Sequence, residues 1–107
     1  MHDHYDTLEC ADPDRRERGL FEALSAALGR ARAGQPFWAE RLAGIDPASV
    51  GSRAALAALP VLRKSDLPAM QKAAPPFGGL VPVPIGTLAR LYLSPGPIFD
   101  PEGHGRD

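Results

Sequence analysis

The chain has 107 residues, with 12 Lys+Arg against 13 Asp+Glu and a net charge of -1. That length holds one small domain or one piece of a larger one, and the charge balance argues against a basic nucleic-acid face. A single cysteine, Cys10, excludes an internal disulfide framework and a multi-cysteine zinc site, and a reducing cytoplasm is the expected setting.

Punctuation divides the chain unevenly. From Pro60 onward there are nine prolines and six glycines in 48 residues, against three and five in the first 59. The front can be helical; the back cannot be a helix bundle. No apolar run approaches a membrane span, and no apolar stretch follows the first residues as a secretory signal would. The ten arginines against two lysines, with 17 alanines, read as coding bias rather than chemistry.

Residues 1–11 read as a flexible polar tail. His2 and His4 flank Asp3, a spacing that can chelate a metal, but no further ligand lies nearby and no metal site is assigned. The first helix opens at Asp12 and Pro13, a cap followed by the residue best suited to the first helical position. Leu20, Phe21, Leu24, Ala27, Leu28 and Ala31 recur at helical spacing. Gly34 and Pro36 stop it. A second short helix is expected over 36–42, with Phe37, Trp38 and Leu42 to bury. Asp46-Pro47 opens a single turn in the same manner. Ser52 caps a helix expected to run to Leu59, and Ser65 caps a further turn or two over 66–73, with Pro68 in its first turn. The helical segment thus extends over 12–74.

Residues 75–107 form the third region. Pro75-Pro76-Phe77-Gly78-Gly79 reads as a turn, and Pro82-x-Pro84 prolongs it. The run 88–93 reads as a strand leading into Ser94-Pro95-Gly96-Pro97. No G-x-G-x-x-G, Walker loop, H-E-x-x-H or Ser/His/Asp set is present, and no catalytic residue is assigned.

The ordered set Leu59-Pro60, Lys64-x-Asp66-Leu67, Pro76-Phe77-Gly78, Val83-Pro84 and a following strand resembles the N-terminal region of phenylacetate-CoA ligases, which are AMP-forming adenylating enzymes. The resemblance covers nearly the whole chain but only the first part of such an enzyme. It implies a mainly α segment with one or two short strands, part of a larger α/β adenylate-forming domain. It implies a parent that activates an aromatic carboxylic acid to an acyl-adenylate and passes it to coenzyme A, with ATP and Mg as further cofactors. The family's phosphate loop reads Ser-Ser-Gly-Thr-Thr-Gly-Lys-Pro. Here the corresponding stretch is Ser94-Pro95-Gly96-Pro97-Ile98-Phe99-Asp100-Pro101. Ser94 and Gly96 fit as ATP-phosphate contacts; the threonines are gone and the lysine is an aspartate.

The resemblance places the adenine pocket, the magnesium acids and the catalytic lysine beyond the chain, so the segment reads as truncated and inactive by itself, binding none of these cofactors tightly. The expected partners are the remainder of the parent enzyme or a second copy, with no nucleic acid and no membrane. Two alternatives stand beside this reading. One is a degenerate family member that binds acyl or nucleotide groups without catalysis; the other is a small helical interaction module.

Overall fold

The computed structural model describes residues 3–105, so His2 lies outside the described residues. Four helices come first, α1 (Pro13–Gly34), α2 (Pro36–Arg41), α3 (Arg53–Ala57) and α4 (Leu67–Ala73), followed by an antiparallel pair, β1 (Arg90–Ser94) and β2 (Ile98–Glu102). Single 3-10 turns lie at Pro47–Ser49, Lys64–Asp66 and Ile85–Thr87. The mainly helical architecture with two short strands is the one the sequence implies. The chain divides into two compact units, one of Met1–Gly29 and Ile45–Leu59, the other of Arg30–Gly44 and Pro60–Asp107.

In the first unit, residues ahead of α1 are tied into turns by side-chain acceptors. Asp6 Oδ1 accepts from the Leu8 and Glu9 amides, and Glu9 Oε2 accepts from the Tyr5 amide. Asp12 then caps α1, its Oδ1 accepting from the Arg15 amide at 2.9 Å. Phe21 and Leu24 are half-buried, whereas Leu20 is 64% exposed. The expectation that Leu20 belongs to the buried stripe is therefore corrected. Helical periodicity marks a face wider than the neighbouring elements cover.

The only apolar side chain fully buried among the described residues of this unit is Val50. It follows the Asp46 turn, in which Asp46 Oδ1 accepts from the Ala48 amide at 3.0 Å. Ser25 Oγ donates to the Pro47 carbonyl at 2.9 Å and fixes that turn to α1. Ser52 Oγ accepts from the Ala55 amide at 3.1 Å, as its capping role requires. The helix it opens ends at Ala57, short of Leu59. The Ala58 and Leu59 amides reach back only three residues, to Ala55 and Leu56, tightening the chain before Pro60.

The second unit is organised around Leu42, Phe77, Ile98 and the polar Gln71, all buried. Pro36 starts α2, which ends at Arg41, one residue earlier than the spacing predicts. Phe37 and Trp38 meet edge to face with ring centroids 5.0 Å apart. The Arg41 guanidinium stacks 4.6 Å above the Phe37 ring, and its Nη1 donates to the Val61 carbonyl. Both rings are half-buried, so the expectation that Phe37 and Trp38 are buried with Leu42 holds in full only for Leu42.

The Ser65 cap is not made. The turn Lys64–Asp66 runs directly into α4, whose first residue follows Asp66 without a side-chain cap. Pro68 in the first turn lacks the amide such a cap would satisfy.

Pro76-Phe77-Gly78-Gly79 turns the chain sharply after α4, and here the glycines are required. Gly78 has φ +66 and Gly79 φ +79. A Cβ on Gly78 would lie 3.0 Å from Met70 Cβ, and one on Gly79 3.3 Å from the Phe37 amide nitrogen. The Gly79 carbonyl accepts from that Phe37 amide at 3.1 Å. The same turn therefore sits against α4 and α2 at once and seats Phe77 in the core.

Candidate functional site

The strand expected at 88–93 is displaced to Arg90–Ser94, and the loop expected after it closes within three residues. Ile98–Glu102 returns as a strand in register, with Ser94 opposite Ile98, Leu93 opposite Phe99, Tyr92 opposite Asp100, Leu91 opposite Pro101 and Arg90 opposite Glu102. The partner strand of β1 is supplied by the very residues that replace the phosphate-loop motif. Ile98 and Phe99, standing where the family has Thr and Gly, carry strand propensity that the motif lacks.

Ser94 and Gly96 lie at the turn of this hairpin. Gly96 has φ +129, a backbone that glycine alone adopts readily. Ser94 is half-buried, and its Oγ donates across the turn to the Ile98 carbonyl at 3.3 Å. Its proton is committed within the hairpin. Pro95 and Pro97 have no amide hydrogen, so Gly96 supplies the sole backbone donor between the strands. Phosphate-binding loops gather several converging amides, hydroxyls and a cation. This turn gathers one amide, and Asp100 stands where the cation would be. The residues present do not fit a nucleotide phosphate.

The hairpin's two faces differ. On one lie Arg90, Tyr92, Asp100 and Glu102. Arg90 Nη1 donates to Tyr92 Oη at 3.4 Å, and Tyr92 Oη donates to Glu102 Oε2 at 3.1 Å. Arg90 Nη1 and Glu102 Oε2 are 3.5 Å apart. The Tyr92 hydrogen bond, and then the Glu102 charge, raise the Arg90 pKa above its ordinary value. On the other face are Leu91, Leu93 and Phe99, exposed to 47%, 62% and 38%, with Pro101. An apolar face turned to solvent is the reverse of ordinary sheet patterning.

The hairpin is held to α4 by Gln71. Gln71 Oε1 accepts from the Phe99 amide at 2.9 Å, and its Nε2 donates to the Phe99 carbonyl at 3.0 Å. Gln71 is not among the residues that the sequence pattern singles out. A lone glutamine on a seven-residue helix carries no periodicity signal; only its burial among apolar neighbours marks it.

Among the described residues no group of three His, Cys, Asp or Glu side chains could hold a metal, and no helix is long and apolar enough to cross a membrane. Cys10 is exposed and unpaired with another cysteine. The described surface carries several open grooves, two of them mainly apolar. One is lined by Leu8, Ala11, Arg15, Gly19 and Leu20, the other by Pro36, Pro75, Phe77, Val83 and Ile85. Neither contains a paired acid and base.

No protein-family model matches the chain, and no curated protein matches it. Two solved structures do, both of 2-hydroxyisobutyryl-CoA ligase in the postadenylation state. The complex with 2-HIB-AMP superposes with a TM-score of 0.76 over 86% of this chain at 28% identity. The complex with R3-HIB-AMP superposes with a TM-score of 0.82 over 97% at 24% identity. The chain spans 20% and 24% of those two chains. Its fold is thus that of a fragment of an adenylate-forming acyl-CoA ligase domain. This likeness supports the adenylate-forming class that the motif order implies and does not single out the phenylacetate-CoA ligase family within it.

Proposed function

We propose that the chain is a scaffold segment of an acyl-CoA ligase, an enzyme that activates a carboxylic acid with ATP and transfers the acyl group from AMP to coenzyme A. The observation that carries this reading is the agreement in fold with 2-hydroxyisobutyryl-CoA ligase over 86% of the chain. The motif order from Leu59-Pro60 to Val83-Pro84 supports it, and its resemblance to phenylacetate-CoA ligases makes an aromatic acid the proposed substrate. Within such an enzyme α2, α4 and the Phe77 turn would hold the hairpin in place through Gln71. ATP, Mg and coenzyme A would be held by the rest of the enzyme. The Ser94–Ile98 turn would border the nucleotide site without supplying its phosphate contacts.

Two chimeras of 2-hydroxyisobutyryl-CoA ligase test this. Replacing its matching segment by residues 12–93 of this chain is expected to leave adenylate formation measurable. Extending the replacement through residue 101 is expected to abolish most of it. A folded but inactive first chimera would overturn the scaffold reading, and a fully active second chimera would overturn the reading of the turn. For the acid, the whole ligase carrying this segment is expected to exchange pyrophosphate faster with phenylacetate or benzoate than with 2-hydroxyisobutyrate. The opposite order removes the aromatic assignment.

A further inference from the structure

On the acyl-CoA ligase reading, on which this step rests, we infer that Gln71 is a positioning residue for adenylate formation. It touches no substrate. It fixes the Ser94–Ile98 turn at the border of the nucleotide site by holding the backbone of Phe99.

The place where the clamp acts is the first reason. Phe99 stands one residue past the turn, and Gln71 meets both of its backbone groups, the amide at 2.9 Å and the carbonyl at 3.0 Å. Antiparallel pairs alternate between bonded pairs and pairs whose polar groups turn outward. Phe99 lies opposite Leu93, and Gln71 satisfies the groups that Phe99 turns away from β1. Two bonds to one residue set the direction of the chain as well as its distance. Both partners are in this chain, so the contact needs nothing from the rest of the enzyme.

The turn passes that placement on because it is stiff. Pro95 and Pro97 have fixed φ angles, and Ser94 Oγ closes the turn onto the Ile98 carbonyl. Ile98 is itself buried. The base of the clamp is equally firm: Met70, the residue before Gln71, lies against the Gly78 turn, where a Cβ on Gly78 would be 3.0 Å from Met70 Cβ.

The turn offers a triphosphate no cradle, so its task is to stay clear of one. Asp100, next to Phe99, carries a negative charge in register with Tyr92. A loosened β2 would let the turn and this acid drift towards the nucleotide, where like charges repel. Adenylate formation handles a triphosphate, whereas acyl transfer to coenzyme A starts from the adenylate. Loss of the clamp therefore harms the first half-reaction and spares the second.

The test uses the whole ligase carrying this segment. Gln71→Met keeps the length of the side chain but has no donor and only a weak acceptor. Its KM for ATP in pyrophosphate exchange is expected to rise about tenfold, as displacement of a site wall can cause. The KM for the acid, and the rate of acyl transfer from supplied acyl-adenylate to coenzyme A, are expected to stay at parental values. Faster hydrogen exchange at the Phe99 amide shows that the clamp has opened. Gln71→Asn, a carboxamide one methylene too short, is expected to show the same split. Val50→Ala removes buried volume from the first unit, and is expected to lower stability yet leave the KM for ATP unchanged. An open clamp with a parental KM for ATP overturns the proposal. So does an equal loss in both half-reactions, or the same rise in KM for ATP in Val50→Ala. A parent ligase that exchanges pyrophosphate with no carboxylic acid overturns the ligase reading itself, and the proposal with it.

Discussion

The Gln71 carboxamide meets both backbone groups of Phe99, as an adjoining strand residue would. Gln71 is only 7% exposed, and none of the buried side-chain polar atoms among the described residues lacks a partner. Removing one member of such a pair leaves a buried group unsatisfied, which costs about 1–3 kcal/mol. Gln71→Ala is expected to lower stability by that amount in denaturant titration. Gln71→Glu is expected to cost at least as much at neutral pH, because the carboxylate accepts from the Phe99 amide but sets a second acceptor against its carbonyl. A variant equal to the parent would show that the hairpin does not depend on α4.

The turn after α4 makes a sharper demand. Gly78 has φ +66, and its missing Cβ would sit 3.0 Å from Met70 Cβ. A left-handed residue with a Cβ costs roughly 1–2 kcal/mol before any contact is counted. Gly78→Ala is therefore expected to exceed that cost in thermal or denaturant unfolding. Gly86 has open space around its Cβ position and no positive φ. Gly86→Ala is expected to be nearly neutral or slightly stabilising. Equal effects at the two positions would show that the Gly78 turn is not tightly seated.

How far local sequence signals reach is seen in the caps. Asp12, Asp46 and Ser52 each accept the amide that their cap position specifies. Ser65 has the same surroundings in sequence, yet the turn Lys64–Asp66 merges with α4 and leaves it no capping role. Substituting a real cap costs about 0.5–2 kcal/mol. Ser52→Ala is expected to fall in that range and Ser65→Ala outside it, near zero, by the same melting measurement. Caps are legible because they depend on three or four neighbouring residues. The hairpin was half legible: the β1 run and the breakers showed, but the return strand was hidden behind two prolines and an inherited loop alignment. The Gln71 clamp was illegible, because it joins residues 28 apart in sequence. Of the candidate site, Ser94 and Gly96 fall at one turn as the motif order implies. What the sequence could not say is that Ser94 spends its hydroxyl on Ile98.

The placement of the core yields the last prediction. Periodicity along α1 nominates Leu20 as readily as Leu24 and Leu28, and nothing local separates Leu42 from other helix-end leucines. The structure separates them decisively, with Leu20 64% exposed and Leu42 2% exposed. Truncating a fully buried leucine removes its transfer free energy and leaves a cavity, together about 2–5 kcal/mol. An exposed leucine has little burial to lose, so its truncation costs within about 0.5 kcal/mol. Leu42→Ala is expected to lower the unfolding midpoint strongly, whereas Leu20→Ala leaves it almost unchanged. Half-buried Leu24 is expected to fall between them. If Leu20→Ala destabilised as much as Leu42→Ala, the apolar face of α1 would have to be covered in solution, and the exposed groove beside Leu8 and Ala11 would have to close over it.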